Sequence, residues 1–304
     1  MMFGMNEQFD YLECGNCGCL QIVHIPNDLS RFYPDNYYSF SGSLNSGFTL
    51  AAFAKRRRFA YCIEGRDLIG KALTIKFGKP EFASWFSNTQ TRFADRILDV
   101  GCGSGRLLLT LRDMGFIHLE GIDPYIARDI EYDNGVKIHK AHLHSLEGQY
   151  DFVMLHHSFE HMEDPQEVMK QLFRVTSPGR HVLIRAPVAN SFAWRTYREN
   201  WVQLDAPRHL YLHTEKSIRL LAENAGFQLD QIVYDSSSMQ FWGSEQYQRN
   251  ITLRDPKSYM QSPQASPFTP QQISKFQQQS IELNRRGEGD QACFYLKKPD
   301  TVSA

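Results

Sequence analysis

The chain lacks several things that would place it quickly. No apolar run approaches the roughly 20 residues that a bilayer-crossing helix needs, so no membrane span is expected. The first residues lack the basic-then-apolar order of a secretory leader. Net charge is nearly absent, with 33 Lys and Arg against 34 Asp and Glu. That balance removes the long-range pull a basic protein exerts on polyanions, and no nucleic-acid partner is expected. The one basic run, Lys55-Arg56-Arg57-Arg58, reads as a solvated helix face. Cysteine is sparse, with Cys14, Cys17, Cys19, Cys62, Cys102 and Cys293 in 304 residues. Reduced thiols and a cytoplasmic location are the expectation. No internal repeat is present. What remains is 42% hydrophobic and 22% charged, the balance of a globular protein large enough for one α/β domain with appendages.

Residues 1–50 read as an N-terminal appendage carrying Cys14-Gly15-Asn16-Cys17-Gly18, and residues 51–304 as the main domain. Phe53 to Asn88 suggests one or two helices. Apolar runs then predict strands at Arg96–Val100, His118–Ile122, Val136–His139, Tyr150–Leu155, His181–Ala186, Gln228–Tyr234 and Ala292–Leu296. Helical spacing is expected over Leu107–Met114, Pro165–Val175, Glu215–Ala225 and Gln271–Asn284. Alternating strands and helices imply a doubly wound, mostly parallel seven-stranded sheet. Two insertions, near 189–213 and 236–289, interrupt the alternation and should shape a site or an interface.

The chemistry begins where Arg96–Val100 ends. Asp99-Val100-Gly101-Cys102-Gly103-Ser104-Gly105 joins a strand to a helix, and glycines there let backbone approach a ligand closely. The N–H groups opening the helix suit a carboxylate or a phosphate. Asp123, ending the second strand, is placed to accept hydrogen bonds from a ribose diol. A nicotinamide fingerprint would put its third glycine at position 106, where Arg106 stands. Cys102 is a small packing residue of the loop, not a nucleophile.

Ile97 to Leu108, Gly121-Ile122-Asp123 and Tyr150-Asp151-Phe152-Val153 together resemble the class I S-adenosylmethionine-dependent methyltransferases, over about Thr91 to Lys298. The resemblance implies S-adenosyl-L-methionine as cofactor and a Rossmann-like sheet whose last strand is antiparallel. It implies cofactor contacts from Asp99, Gly101, Cys102, Gly103, Gly105 and Asp123, with Ser145 and Leu146 flanking the adenine. His156-to-Pro165, with Glu160-His161, resembles the small-molecule and sugar methyltransferase branch. Cys14-Gly15-Asn16-Cys17-Gly18, Phe32-Tyr33-Pro34, Tyr37-Tyr38 and Leu204-Asp205-Ala206-Pro207-Arg208-His209-Leu210 resemble bacterial members associated with surface-polysaccharide or secondary-metabolite pathways, which suggests sugar nucleotides and such precursors as acceptors. A catalytically inactive interaction module and a nucleic-acid methyltransferase are the rival readings.

Six of the 11 histidines fall between His139 and His161, and His156 and His157 end the fourth strand of the main sheet. His156 is expected at cofactor or substrate. His161 and His209 are the candidate general bases for an oxygen nucleophile. Trp194, Tyr197, Trp201 and Tyr211, neighbours of His209, are expected to line an apolar pocket. His157, Glu160 and His161 form a weak metal candidate, similar to a Glu-x-x-Glu-His arrangement used by some methyltransferases of this fold. Cys14 and Cys17 supply half of a zinc knuckle, with Cys19 and His24 at unusual spacing. Chains resembling this one carry a second cysteine pair upstream, so the start at Met1 reads as truncated or misassigned, leaving a half-site. No metal is therefore assigned.

Overall fold

Apolar strands alternating with amphipathic helices can bury both of their faces only by layering helices on a sheet. The computed structural model of the chain describes residues 7–33, 50–80 and 82–300. Ahead of the main sheet lie β1 (Tyr11–Glu13), β2 (Leu20–Ile22), α1 (Leu50–Glu64), α2 (Leu68–Phe77) and α3 (Ala83–Asn88). Then come β3 (Arg96–Val100), α4 (Arg106–Met114), β4 (His118–Ile122), β5 (Ile130–Glu131), β6 (Lys137–His139), β7 (Tyr150–His156), α5 (Pro165–Val175) and β8 (Thr176–Pro187). The chain finishes through α6 (Phe192–Tyr197), β9 (Tyr211–Leu212), α7 (Glu215–Ala225), β10 (Gln228–Tyr234), α8 (Met239–Gln248), α9 (Pro270–Arg285) and β11 (Gln291–Lys297).

The main sheet runs β10-β11-β8-β7-β3-β4-β6-β5. It is parallel across β8, β7, β3, β4 and β6, and β11 runs antiparallel between β8 and β10, as expected for the last strand. The sheet has eight strands, not the expected seven. The addition is the two-residue β5, which folds back antiparallel on β6 through a turn in which Tyr132 and Val136 are hydrogen-bonded. A strand this short carries no periodic signal. The first helical region is likewise three helices, because Gly65-Arg66-Asp67 and Gly78 to Pro80 break it.

Alternation along the strands sends neighbouring residues to opposite faces. Leu98, Val100, Val153, Leu155, Ile184 and Phe294 fall in one core layer, while Ile97, Phe152, Met154, Leu183 and Tyr295 fall in the other. The helices start where their sequences say they should. Asp164 accepts the Glu167 N–H ahead of Pro165 in α5, and Thr214 with Ser217 forms a reciprocal cap on α7, which Gly226 closes. The outward growth of the sheet reverses at β3, with β4 and β6 on one side and β7 and β8 on the other. The crevice beyond the carboxyl ends of β3 and β7 is where this topology places ligands.

A second, small sheet joins distant parts of the chain. β1 pairs with β2, and β2 pairs with β9, setting Leu20 opposite Leu212. A third core forms around that junction from Leu20, Tyr197, Trp201, Leu212, Phe241, Trp242 and Phe276. Trp201 is wholly buried and donates its indole N–H to Asp290 at 2.9 Å, and Trp194 packs against it with centroids 6.1 Å apart. Tyr197 and Trp201 are therefore core and not the pocket lining expected of them, whereas Trp194 is half-buried and borders a cavity with Arg195 and Arg198, and Tyr211 is half-exposed on His213.

Candidate active site

Three strand ends and one insertion build the site. At the end of β3 the loop turns on Gly101, Gly103 and Gly105, all with positive φ. Gly101 has φ +75, and a Cβ on it would lie 2.5 Å from the Ser158 Cβ. Its lack of a side chain is therefore demanded first by the protein beneath it, where Ser158 donates to the Val100 carbonyl at 2.7 Å. Asp123 closes the loop from the next strand. Its Oδ2 accepts the Gly103 N–H at 2.9 Å and its Oδ1 the Tyr125 N–H at 2.9 Å, and each oxygen keeps a further lone pair.

Asp99 lies buried beneath the same loop, and its carboxyl is pushed up to about 7 by burial and then by the charge of Asp123. No cation among the described residues pairs with either carboxylate. The Ser104 hydroxyl, also in the loop, is buried without a partner. Cys102 packs its sulfur against Gly121, and burial holds its thiol well above the ordinary range. Ser145 and Leu146 follow β6 on the same edge of the sheet. Ser145 donates to the His142 carbonyl at 2.8 Å, and the Leu146 carbonyl is held by Arg174 at 2.7 Å.

The end of β7 supplies the histidines. His156 is half-buried, its two ring nitrogens are out of solvent without a hydrogen bond, and its ring lies 4.2 Å from that of Trp85 in α3. Burial and the neighbouring Arg185 hold it neutral, far below the ordinary histidine range. His157 is held from both sides. Arg185, itself paired with Asp235 at 2.6 Å, donates to His157 Nε2 at 3.0 Å, which leaves Nδ1 facing Glu160 at 3.4 Å.

Glu160 is 1% exposed, and neither of its oxygens has a hydrogen bond. Burial pushes its carboxyl up, but the contact with His157 and the fields of His157, His209 and His161 prevail and hold it at about 2. Around it stand His161 and His209. His161 Nδ1 is 2.8 Å from the Arg208 carbonyl, and His209 Nδ1 is 2.7 Å from the Gln203 carbonyl. A carbonyl only accepts, so both protons sit on Nδ1 and both Nε2 atoms keep their lone pairs. Burial, first of all, holds both imidazoles down at about 4. The His209 Nε2 lies 3.8 Å from Glu160, and the two imidazole rings meet edge to face at 4.8 Å.

Glu160, His161 and His209 place one ligand atom each within 4.8 Å of one another, the one such set among the described residues. His209 thus takes the place that spacing suggested for His157. The insertion that carries His209 is pinned by the Leu210 N–H on the Glu160 carbonyl at 2.8 Å and by the Tyr11 hydroxyl on the His209 carbonyl at 2.7 Å. Cys14 and Cys17 lie on the hairpin turn, away from this cluster. The Cys17 carbonyl accepts from Thr214 at 2.6 Å, and Cys19 packs 3.8 Å from His213. Sequence reasoning missed Trp85 and Arg185, because neither sits in a motif and only the sheet register and helix packing bring them to the site.

A family model described as a methyltransferase domain matches residues 53–232. The chain belongs to this family. It is 31% identical over 113 residues to the ubiquinone biosynthesis O-methyltransferase of Pectobacterium carotovorum subsp. carotovorum (strain PC1), covering 34% of this chain and 47% of that one. To the enzyme of the same name from Erwinia tasmaniensis it is 30% identical over 140 residues, covering 42% and 57%. The chain thus spans about half the length of the curated relatives it matches. A solved structure of a candidate sarcosine dimethylglycine methyltransferase from Galdieria sulphuraria covers 81% of this chain and 99% of its own, at 15% identity and a TM-score of 0.48.

The cofactor of the family is S-adenosylmethionine, and the residues present fit it. Asp123 has acceptor capacity left for a diol. The uncompensated carboxylates of Asp99 and Asp123 suit a cationic ligand, and the unpartnered Ser104 hydroxyl and loop N–H groups suit its carboxylate.

Proposed function

We propose that the chain transfers a methyl group from S-adenosylmethionine to a small-molecule acceptor. The observation that carries this reading is the loop of Gly101, Gly103 and Gly105, which is tied by Asp123 and underlain by a buried, cation-free Asp99. When bound, the cofactor supplies an activated methyl on a sulfonium. Asp123 would hold its ribose, the loop and Ser104 its amino-acid end, and Ser145 and Leu146 would flank its adenine. His156, packed on Trp85, would close the apolar wall beside the transferred methyl.

The remaining chemistry is positioning and proton removal. His209 presents its Nε2 lone pair toward Glu160, and His161, with its own Nε2 unprotonated, stands beside them, so a proton taken by either would be stabilised by that carboxylate. This supports an oxygen acceptor, whose proton must leave as the new bond forms. The curated relatives are named as O-methyltransferases, which agrees with that choice. Sugar nucleotides and related precursors are the first acceptors to try.

The test is titration calorimetry with S-adenosylmethionine and S-adenosylhomocysteine. Saturable one-site binding is expected, weakened about 10- to 100-fold by Asp123→Ala because a charged acceptor is lost to a buried diol. Folded protein that binds neither, or an Asp123→Ala variant of unchanged affinity, sinks the assignment.

The same cluster supports a second reading. Two neutral imidazoles, each with Nδ1–H anchored on a backbone carbonyl, and an ionised carboxylate without hydrogen bonds together form a donor set for a divalent cation. Metal analysis of purified protein, with activity before and after chelation, separates the two. Full activity in metal-free protein assigns the histidines to proton transfer.

A further inference from the structure

The hairpin of α1 and α2 is built unlike the rest of the shell. Phe59 of α1 anchors it, wholly buried with its ring 5.8 Å from Phe86 and 6.0 Å from Phe116. α2 meets α1 at Gly70, where an added Cβ would lie 2.0 Å from the Arg57 carbonyl oxygen. Asp67 fixes the corner by accepting the Gly70 N–H at 2.7 Å and pairing with Arg57 at 2.7 Å. Gly70 is the one buried residue of α2. The rest of an apolar helix, Leu-Ile-Gly-Lys-Ala-Leu-Thr-Ile-Lys-Phe, turns outward or lies at the margin, with Leu68 82%, Ile75 78% and Phe77 57% exposed.

Helical spacing sets Leu68, Ala72 and Ile75 in one line opposite Gly70, with Lys71 and Lys76 on either side of it. Leu50 to Pro80 holds eight Lys and Arg against Glu64 and Asp67, in a chain whose formal net charge is -1. Lys71, Lys76 and Lys79 have no acidic partner among the described residues. A narrow apolar line bordered by lysines is a poor protein interface, since lysine is depleted there. Exposed apolar side chains flanked by lysines suit a lipid surface, where apolar groups enter the headgroup boundary and ammonium groups stay at the phosphates.

We propose that the α1–α2 hairpin docks this protein on an anionic phospholipid surface, with Leu68 and Ile75 entering the headgroup boundary and Lys71, Lys76 and Lys79 binding lipid phosphates. The contact is peripheral, because no helix among the described residues is long and apolar enough to cross a membrane. α1 packs on α3 through Phe59 and Phe86, and Trp85 of α3 lies against His156, so the hairpin and the proposed methyl-transfer site rest on the same helix.

The experiment is co-sedimentation of the full chain with vesicles of phosphatidylcholine alone or with roughly one-third phosphatidylglycerol, at about 0.1 and about 0.5 M salt. Binding to the anionic vesicles alone is expected, weakened by salt and by about fivefold for each of Lys71→Ala and Lys76→Ala. Leu68→Asn with Ile75→Asn should lower it at least about tenfold while leaving the thermal midpoint unchanged, because both side chains are already in water. No partition onto anionic vesicles overturns the proposal, as does equal partition of the Leu68→Asn/Ile75→Asn variant. Self-association of the wild-type chain that this variant abolishes would assign the face to a second copy and overturn it too.

Discussion

Loading S-adenosylmethionine onto the glycine loop should drive a proton out of Asp99. Without ligand, burial and the neighbouring Asp123 hold this carboxyl up at about 7. The sulfonium and α-ammonium bring positive charge to the same buried space, and an opposite charge within a few ångströms lowers a carboxyl by about 1 to 3 units. At pH 6.5 a group titrating near 7 is about three-quarters protonated, and one lowered to near 5 is almost wholly ionised, so binding should release about 0.7 proton. By pH 8 the release should fall to about 0.1 proton, because the free protein is by then already ionised. Calorimetric titrations in two buffers of different ionisation enthalpy read this number directly from the difference in apparent heat. Asp99→Asn should abolish the release while the loop still folds. Zero release at pH 6.5, or an unchanged release in Asp99→Asn, would refute the reasoning that a buried, uncompensated carboxylate awaits a cation here.

Three further outcomes are expected. Gly101→Ala should cost about 2 to 4 kcal/mol in urea unfolding, since it combines a positive φ with a contact against Ser158; a change below about 0.5 kcal/mol would contradict the packing. Trp201→Phe removes the hydrogen bond to Asp290, whose carboxyl burial already raises to about 6. A raised carboxyl loses stability as pH climbs through its titration, so beyond a pH-independent loss of packing from the smaller ring the variant should be weaker by a further amount of about 1 to 3 kcal/mol at pH 8 than at pH 5. If His209 is the base, His209→Gln should lower kcat by about 10²- to 10⁴-fold, and parental kcat should stay flat as pH falls until the imidazoles protonate near 4. A fall in kcat centred near 6.5 would show instead that the imidazole in use is not a buried one.

Local chemistry made much of this legible from residues alone. β3, β4, β10, α5 and α7 begin and end where caps, glycines and alternation place them, because those signals act within a few residues of the boundary. The loop and Asp123 follow from the same short-range logic. α8 escaped notice because Phe241 and Trp242 share its buried surface with Gln240, Ser244 and Gln246, polar side chains held inside by bonds such as those from the Val202 N–H to Ser244 and from Gln246 to Ser258. Its period is therefore masked by buried polar side chains. The meeting of His209 with Glu160 and His161 was not legible as geometry, since it depends on register between an insertion and a strand end. The aromatic insertion drew an expectation of a pocket from composition, but composition does not say which neighbours Trp201 and Trp194 will have.

The pairing of β2 with β9 gives the chain an order of assembly. About 190 residues separate Leu20 from Leu212, and closing so long a loop adds little to the equilibrium cost but delays the contact in time. The strand that completes the small sheet emerges from the ribosome long after β1 and β2, which must wait with an open edge until it arrives. Only when that edge closes do Tyr11 and the Leu210 backbone clamp the segment bearing His209 over Glu160. A nascent chain would therefore build its cofactor loop first and its proton-handling cluster last, and would not be competent for chemistry while its first strands still stand unpaired.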